Sequence, residues 1–336
     1  MNKKLLITGG TGSFGNAVLS EYLKNKKFSK IYILSRDEAK QHYMKQEFKS
    51  NKIEYILADV RDKSRIEEAV SGVDIVFHAA ALKHVPSNEL NPQEAIKTNI
   101  NGTENVINAC IKNKIKKLIL LSTDKAVYPI NTMGLTKAIA ERLMLNKFKI
   151  SKTSISVVRY GNVLNSRGSV VETFIKQLLD DRCKSISLTD LRMTRFLLPL
   201  ADAVKLVDMA EKSKNFGEIF VKKAPAVKII DLAKACMSLL NIKKKINFIG
   251  IRAGEKLHET LISYEESILT KVYKDHFVIK SSKNLKDKDF LYSGNNKKKM
   301  FIYSSDQKKV TNINDIKKLL LRDKYVKNVA NSIKQK

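Results

Sequence analysis

The chain has 336 residues, 43% of them hydrophobic, which is enough for a sizeable core in one large domain or two. No apolar run reaches the ~18 residues of a membrane span, and a strand starts within the first few residues, so we expect neither a span nor a signal peptide. The three cysteines lie far apart, which is typical of reduced thiols in a cytoplasmic protein and predicts no metal site. The net charge of +29 suits a nucleic-acid binder, but the lysines are spread along the chain without a nucleic-acid-binding motif, which favours a solvated basic surface.

The first predicted strand, Lys4 to Thr8, runs directly into a glycine-rich turn that opens a helix. Gly9, Gly12 and Gly15 are spaced G-x-x-G-x-x-G, which allows a tight turn and close backbone approach to a ligand. The N–H groups at the start of the helix can then bind a pyrophosphate. The pattern predicts nucleotide binding, with cofactor contacts from Gly9, Gly12, Ser13, Phe14 and Gly15.

The second predicted strand, Lys30 to Leu34, ends in Ser35, Arg36 and Asp37. An acidic residue at this distance from the glycine turn pairs with the ribose 2′-hydroxyl of NAD, whereas an arginine pairs with the 2′-phosphate of NADP. Because Arg36 comes first and Ser35 can assist it, the sequence favours NADP. Asp37 keeps NAD as the alternative.

The third and fourth predicted strands, Ile53 to Ala58 and Asp74 to Ala81, end near the same cofactor. Residues just after the third strand can touch an adenine ring, and small residues in the fourth let the backbone lie against the cofactor. The predicted contacts are Asp59, Val60, Ala79 and Ala80.

Three more polar residues lie near the end of the fourth strand. His78, inside the strand, is interpreted as a packed and hydrogen-bonded core residue rather than a catalyst. Lys83 and His84 follow the strand and face the same cleft, where they either contact cofactor and substrate or belong to a solvated loop.

The fifth predicted strand, residues 117–121, carries the polar run STDK at its carboxyl end. Ligands of open α/β sheets bind outside this end of the strands, where an adjacent acid and base can move two protons on one bound molecule. The alternative is a polar strand end without catalytic function. The candidate catalytic residues are Thr123, Asp124 and Lys125.

Strands and helices alternate as far as a sixth strand, Ser154 to Tyr160, which predicts an α/β fold with a Rossmann-like, doubly wound parallel sheet. The later elements are shorter, as expected of a smaller C-terminal substrate-binding domain. The predicted domains are a nucleotide-binding domain at 1–165, to which about 200–220 return, a substrate domain at 166–300 and an extension at 301–336.

The later part of the chain carries four further predictions. His258 and Glu259 are interpreted as a helix cap rather than catalysts, and Lys271 to Asn296 is interpreted as a patternless mobile arm. Helices are predicted at 171–179, 202–212 and 313–321.

The motifs TGGTGSFG, SRDE, HAAALKHVP, LSTDKAVYPIN, RYGNV, SRGS, MTRF and RAGEKLHE together resemble a known family. Their order over residues 3–265 is similar to that of the extended short-chain dehydrogenase/reductases that act on nucleotide sugars. Within these, the chain most resembles the bacterial UDP-N-acetylglucosamine 4,6-dehydratases of surface-polysaccharide synthesis, including their 5-inverting branch.

This resemblance implies a tightly held NADP and a UDP-sugar substrate, with the glycine turn at the pyrophosphate and Arg36 at the 2′-phosphate. Lys137 falls where the family holds the nicotinamide ribose. Arginines suit a diphosphate because a guanidinium can bind it with two hydrogen bonds. The residues implied for substrate binding are Lys83, Asn162, Arg195, Arg252 and Glu255.

One position departs from the family. Members usually have a tyrosine four residues before the helix lysine, but this chain has Met133, and a thioether cannot exchange a proton. The 5-inverting branch, which this chain resembles, tolerates a methionine at this position. The group that ionises the sugar 4-hydroxyl is therefore left open among Asp124, Lys125, a water and, least favoured, Tyr128.

The implied reaction starts with hydride transfer from sugar carbon 4, after which Lys125 removes the proton on carbon 5 and Asp124 protonates the departing 6-hydroxyl. A base needs a lowered pKa and an acid a raised one. Burial lowers the pKa of a lysine and raises that of an aspartate, as this mechanism requires. The positive charge of Lys137 is expected to lower the pKa of Lys125 further.

Two other functions remain open at this point. A UDP-hexose 4-epimerase would need only reversible hydride transfer, and a non-catalytic NADP-binding sensor would explain the missing tyrosine. The family also tends to assemble, so a homo-oligomer is expected, and the stereochemistry at carbons 3 and 5 stays undecided.

Overall fold

The computed structural model describes residues 3–147, 152–164, 166, 168–281, 300–307 and 311–334. Its main feature is a nine-stranded sheet with the strand order β14-β15-β10-β6-β5-β4-β1-β2-β3. The strands from β10 to β3 are parallel to one another, and β15 is antiparallel to both β10 and β14. The strands of this sheet are β1 Lys4–Thr8, β2 Lys30–Ser35, β3 Ile53–Leu57, β4 Ile75–His78, β5 Lys117–Thr123, β6 Ser154–Tyr160, β10 Glu218–Lys222, β14 Thr270–Val272 and β15 His276–Ile279.

Three small sheets accompany the large one. In one of them β9 lies between β7 and β11. The other two pair β8 with β12 and β13 with β16. Their strands are β7 Asn162–Val163, β8 Ser185–Leu188, β9 Thr194–Leu198, β11 Ala226–Lys228, β12 Lys245–Phe248, β13 Thr260–Ile262 and β16 Tyr303–Ser304.

Helices fill the connections and cover the sheets. They are α1 Ser13–Lys24, α2 Glu38–Glu47, α3 Lys63–Ala69, α4 Val85–Leu90, α5 Pro92–Ala95, α6 Gly102–Lys112, α7 Thr132–Lys147, α8 Val170–Leu179, α9 Leu200–Lys212, α10 Ile229–Leu240, α11 Tyr264–Ser267, α12 Ile313–Leu320 and α13 Lys324–Lys334. A π-helical turn, Ile96–Asn101, joins α5 to α6, and a short 3₁₀ turn, Asp124–Ala126, follows β5.

Successive side chains of a strand point to opposite faces, so the apolar strands of the large sheet supply two cores. In β1, Leu6 packs on the face covered by α3, α6 and α7, whereas Leu5 and Ile7 pack on the face covered by α1 and α9. A third core lies apart from the sheet, among α8, β8, α10 and the two C-terminal helices. The predicted α/β class with a Rossmann-like parallel sheet is confirmed.

The sixth predicted strand is confirmed, but the fourth is shorter than expected. Predicted as 74–81, it ends at His78, where the chain leaves the sheet for the loop that meets the glycine turn. In the π-helical turn, the Asn99 side-chain amide accepts from the Leu82 backbone N–H at 2.8 Å and donates to the Leu82 carbonyl at 3.0 Å. The helices expected at 171–179, 202–212 and 313–321 are present at nearly these positions.

The prediction of a patternless arm at 271–296 is wrong for its first part, because β14 and β15 extend the large sheet there. The remainder, from 282 onward, lies outside the described residues. The predicted domain boundaries stay a prediction. In the structure β10, at the end of the segment expected to return to the first domain, joins the large sheet with β14 and β15, while α12 and α13 pack on the third core. Over its described parts, the chain forms no helix with the length and apolar character to span a bilayer.

Candidate active site

The glycine-rich turn lies between the carboxyl ends of β1 and β4. Gly9 has a φ of +64°, and a Cβ there would lie 2.7 Å from the Cα of Ala80. A Cβ on Gly15 would lie 2.1 Å from the carbonyl oxygen of Gly10. Only glycines permit this close approach of α1 to the sheet, and it leaves the start of α1 open to a ligand.

A cleft of about 250 Å³ opens beside this turn. It brings together seven of the predicted cofactor contacts, namely Gly9, Gly12, Ser35, Arg36, Asp59, Val60 and Ala80. Ser13, Phe14, Gly15, Ala79, Lys83 and Lys137 do not line it. Of these, Phe14 stacks on the ring of Tyr160 with the ring centres 5.9 Å apart.

The rim of the cleft carries more positive charge than the sequence suggested. Arg36 lies 3.4 Å from Asp59, and Lys40, which sequence reasoning missed, pairs with Asp37. The Asp37 carboxylate also caps α2 by accepting from the Lys40 backbone N–H at 2.9 Å. Burial raises the pKa of Asp59, but hydrogen bonds from Arg61 outweigh it and hold the pKa below its ordinary value.

The interpretation of His78 as a core residue is confirmed. Its Nδ1 lies 2.7 Å from the hydroxyl of Thr8 and its Nε2 lies 2.9 Å from the hydroxyl of Thr103. Burial lowers the pKa of His78 to about 3, with a smaller contribution from the charge of Lys137. The ring is therefore neutral and engaged on both sides.

The polar run after β5 forms a buried ion cluster. The Lys125 amine donates to Oδ1 of Asp124 at 3.0 Å, and the Thr123 hydroxyl donates to the same oxygen at 2.8 Å. Oδ2 of Asp124 is buried and has no hydrogen-bond partner within the part of the chain that the structure describes. A side chain on Gly161 would crowd this oxygen at 3.3 Å, so the glycine makes room for the carboxylate.

The structure adds a second carboxylate to this cluster. Oε1 of Glu259 lies 3.1 Å from the Lys125 amine and 3.8 Å from Nε of Arg195, and Oε2 lies 4.0 Å from the Lys256 amine. The prediction that Glu259 caps a helix is wrong, because its side chain is buried beside Lys125 just before β13. The one available signal was its position in the charged RAGEKLHE motif, next to an apolar strand.

These neighbours reverse the expected pKa shift of Lys125. Burial lowers the pKa of the amine, but the negative charges of Asp124 and Glu259 outweigh burial and raise it. The predicted lowering of this pKa is therefore wrong, because it considered burial and cations without the second carboxylate. Burial lowers the pKa of the neighbouring Lys256.

The helix lysine and the residue at the family's tyrosine position lie in α7. The Lys137 amine donates to the carbonyl of Leu121 in β5 at 2.6 Å, and burial lowers its pKa to about 8. Met133 is buried. Tyr128 points away, because its hydroxyl donates to Glu265 at 2.8 Å on an exposed surface.

The predicted substrate residues differ in their surroundings. Arg195 on β9 is buried and donates to the backbone carbonyls of 194, 256 and 257. Arg252 is 59% exposed and lies 3.8 Å from Glu255 within its own turn. Oδ1 of Asn162 is buried and has no hydrogen-bond partner in the described ranges, and Lys83 is exposed.

The Gly254 carbonyl of the turn that holds Arg252 accepts a 2.7 Å hydrogen bond from the Asn131 amide, just before α7. The Lys256 amine donates to the carbonyl of Val127 at 2.6 Å. The segment from 252 to 259 is thus bonded to the loop after β5, which encloses the ion cluster.

A parallel sheet, a glycine turn at its carboxyl edge and a cleft beside that turn define a dinucleotide-binding α/β protein. Residues 5–281 match the family described as polysaccharide biosynthesis protein, and the chain belongs to this family.

Two relatives carry different names. A UDP-glucose 4-epimerase from Rickettsia rickettsii is 46% identical over 334 residues, covering 97% of both chains. A UDP-N-acetylglucosamine 4,6-dehydratase (inverting) from Campylobacter jejuni is 49% identical over 296 residues, covering 87% of both chains. The resemblance found in the sequence motifs is confirmed.

Solved structures share the fold. The X-ray structure of Pen from Bacillus thuringiensis superposes with a TM-score of 0.88 at 36% identity and covers 96% of this chain and 98% of its own. DesIV, a dTDP-glucose 4,6-dehydratase from Streptomyces venezuelae solved with NAD bound, has a TM-score of 0.69 at 17% identity and covers 76% of this chain and 86% of its own.

Proposed function

We propose that the protein is an NADP-dependent UDP-N-acetylglucosamine 4,6-dehydratase that inverts sugar carbon 5 and supplies a keto-deoxy sugar nucleotide to surface-polysaccharide synthesis. The observation that carries the proposal is the buried ion cluster after β5, in which Lys125 lies between Asp124 and Glu259. Loss of water requires protons to move at carbon 5 and at the 6-hydroxyl, so the reaction needs both an acid and a base beside the sugar.

The cofactor cleft fits a nicotinamide dinucleotide because Gly9 leaves no room for a Cβ against Ala80 and because α1 starts at the cleft. Arg36 and Lys40 at the rim support NADP over NAD, since both can pair with a 2′-phosphate. Asp37 supports NAD less well, because its carboxylate already caps α2. A nicotinamide dinucleotide held by the residues of this cleft would supply the hydride acceptor and donor for the reaction.

The proton transfers are assigned from the charges in the cluster. The raised pKa of Lys125 supports an ammonium that donates its proton to the departing 6-hydroxyl, which leaves as water. Asp124, which has one buried oxygen without a hydrogen-bond partner among the described residues, accepts the proton from carbon 5 before the water leaves. This assignment reverses the roles expected from the sequence, and a proton returns to carbon 5 at the end.

For the UDP diphosphate, Arg252 supports a contact better than Arg195. The Arg252 guanidinium is exposed and holds only a long contact with Glu255, whereas that of Arg195 already donates to three carbonyls. Asn162 has an unpartnered oxygen that suits a hydrogen-bond donor on the substrate. We also propose that the protein works in the cytoplasm, where its three free cysteines stay reduced, as a homo-oligomer.

A second candidate is a UDP-hexose 4-epimerase, which the name of the Rickettsia rickettsii relative favours. A 4-epimerase moves a hydride and one proton at carbon 4. This reaction would give the cluster of Lys125, Asp124 and Glu259 no catalytic role.

One experiment separates these functions. The purified protein is incubated with UDP-N-acetylglucosamine in deuterated water, and the product is analysed by mass spectrometry and NMR. A dehydratase should give a product that has lost one water and carries deuterium on carbon 5. An epimerase should give a product with the same mass as the substrate.

Two controls accompany the measurement. Lys125→Met should abolish the product, whereas Glu68→Gln, which removes an exposed carboxylate paired with Arg65, should not. Mass spectrometry of the cofactor released by denaturation identifies NADP or NAD directly. Turnover of no UDP-sugar would support the sensor instead.

A further inference from the structure

The Lys125 amine contacts two carboxylates that reach it from different parts of the fold. Asp124, at the end of β5, lies 3.0 Å from it, and Glu259, just before β13, lies 3.1 Å from it. Because Asp124 is the sequence neighbour of Lys125, it cannot by itself fix where the long lysine side chain points. The contact with Glu259 fixes that direction.

Glu259 is surrounded by cations and has few other partners. Its side chain is 2% exposed, and Lys125, Arg195 and Lys256 all approach its carboxylate within 4.0 Å. Its Oε2 has no hydrogen-bond partner among the described residues. Burying a carboxylate is costly unless it is paired with cations, and these three cations compensate the negative charge of Glu259.

We propose that Glu259 is a positioning residue for the dehydration: it holds the Lys125 ammonium against Asp124 and keeps it protonated until the 6-hydroxyl leaves. The inference rests on the function proposed above and assigns Glu259 a role that acts through Lys125. It follows from the geometry of the cluster, in which Lys125 contacts Asp124 at the end of β5 and Glu259 just before β13.

The change Glu259→Gln keeps the side-chain shape and removes the charge. Lys125 then faces Asp124 as its one anion, and two cations repel it. The charged groups that face it from all packed elements are Asp124, Glu259, Arg195 and Lys256. Removal of an anion makes deprotonation easier, so the amine should lose its proton at a lower pH.

The first measurement does not depend on any substrate. Lys125, whose side chain is 21% exposed, is labelled in the intact, folded protein with an amine-reactive acetylating reagent at a series of pH values. The protein is then digested, and the extent of labelling at Lys125 is measured by peptide mass spectrometry. In Glu259→Gln the half-labelling pH should fall by about one unit or more. Glu68→Gln should leave it unchanged, and an unchanged value in Glu259→Gln would overturn the proposal.

The second measurement follows kcat and KM against pH with UDP-N-acetylglucosamine. The ammonium donor is lost as the pH rises through its pKa, so the alkaline decline of kcat should begin at a pH about one unit lower in Glu259→Gln, matching the shift in half-labelling pH. KM should change less than threefold. A higher KM with unchanged kcat and an unchanged alkaline decline would show that Glu259 serves substrate binding or folding only.

Glu259→Asp keeps the charge but withdraws it by one methylene group, so its half-labelling pH and its alkaline decline should lie between those of the wild type and Glu259→Gln. If Glu259→Gln does not fold, Glu259→Asp decides, and a wild-type half-labelling pH there overturns the proposal. If the wild type turns over no UDP-sugar while the labelling shift is present, the proposed function fails and the assignment of Glu259 to Lys125 stands.

Discussion

At the scale of single residues, two glycines with the same backbone conformation have different surroundings. Gly9 and Gly72 have φ values of +64° and +68°. A Cβ on Gly9 would meet the backbone of Ala80 at 2.7 Å, whereas a Cβ on Gly72 would meet no atom within 4 Å. The pair therefore separates the cost of a left-handed backbone from the cost of losing close approach.

We predict that Gly72→Ala lowers the free energy of unfolding by about 1 kcal/mol, which is the strain of a side chain at positive φ. Gly9→Ala should cost about 2–5 kcal/mol because overpacking is added, and it should abolish NADP⁺ binding. Urea unfolding and titration calorimetry with NADP⁺ measure the two effects. Equal losses in the two variants would mean that contact with Ala80 is unimportant.

The residue scale is also where sequence reasoning about the site reached its limit. The acid–base run after β5 was recognisable because Asp124 and Lys125 are adjacent and follow a buried strand. The pKa shift of Lys125 was predicted in the wrong direction, because Coulomb interactions depend on distance in space and Glu259 is remote in sequence. Lys40 was missed for the same reason, since its place at the cleft depends on how α2 packs.

At the scale of elements, a buried arginine joins the large sheet to two helices. Arg159 on β6 donates to Glu141 of α7 at 3.1 and 2.6 Å and to Glu266 of α11 at 2.8 and 2.9 Å. It also donates to the carbonyl of Leu261 at 3.0 Å. Because α7 carries Lys137 and β13 follows Glu259, this network holds β6, the helix of Lys137 and the segment of Glu259 together.

Arg159→Met should lower the free energy of unfolding by about 3–5 kcal/mol at pH 7, because it removes the buried cation that pairs with both Glu141 and Glu266. Burial raises the pKa of Glu266, but the charge of Arg159 outweighs it and holds that pKa below its ordinary value. Such a group stabilises the fold above its unfolded pKa, and the stabilisation is lost as the pH falls through the folded pKa. The difference between wild type and variant should therefore shrink below about pH 4.

Urea unfolding at neutral and acidic pH measures this difference. Arg182→Met is the matched control, since Arg182 is exposed and pairs with Asp180, and its cost should stay below about 0.5 kcal/mol. A difference between wild type and Arg159→Met that stays constant on acidification would show that packing, and not the ion pair, supplies the stability.

At the scale of the whole molecule, the C-terminal helices complete the core that lies apart from the sheet. Leu320 on α12 is fully buried in that core, whereas the next residue, Leu321, is 39% exposed. The glycine turn and the cofactor cleft pack on the two cores of the large sheet. Damage to the third core should therefore spare the cofactor site.

We expect Leu320→Ala to lower the free energy of unfolding by about 2–5 kcal/mol through the cavity it leaves. Leu321→Ala should cost less than about 1 kcal/mol. Titration with NADP⁺ should give the same affinity in both variants and in the wild type. A weaker affinity in Leu320→Ala alone would show that the third core supports the cofactor site.

The sequence by itself determined the parallel sheet, the glycine turn and the position of Asp124 and Lys125. These features depend on short contiguous patterns: apolar runs of strand length, glycine spacing, and polar residues directly after a buried strand. The long apolar strands were recognisable, whereas β14 and β15 were missed because they have only three and four residues and stand between polar segments.

Only the tertiary structure decided what surrounds Lys125 and how the later chain is shared between the cores. Glu259, Arg195 and Lys256 meet Lys125 because β9 and the 252–259 segment fold back onto the loop after β5. No local propensity encodes such a meeting, since it arises from the burial of apolar faces far apart in the chain. The charge state of Lys125 depends on that meeting.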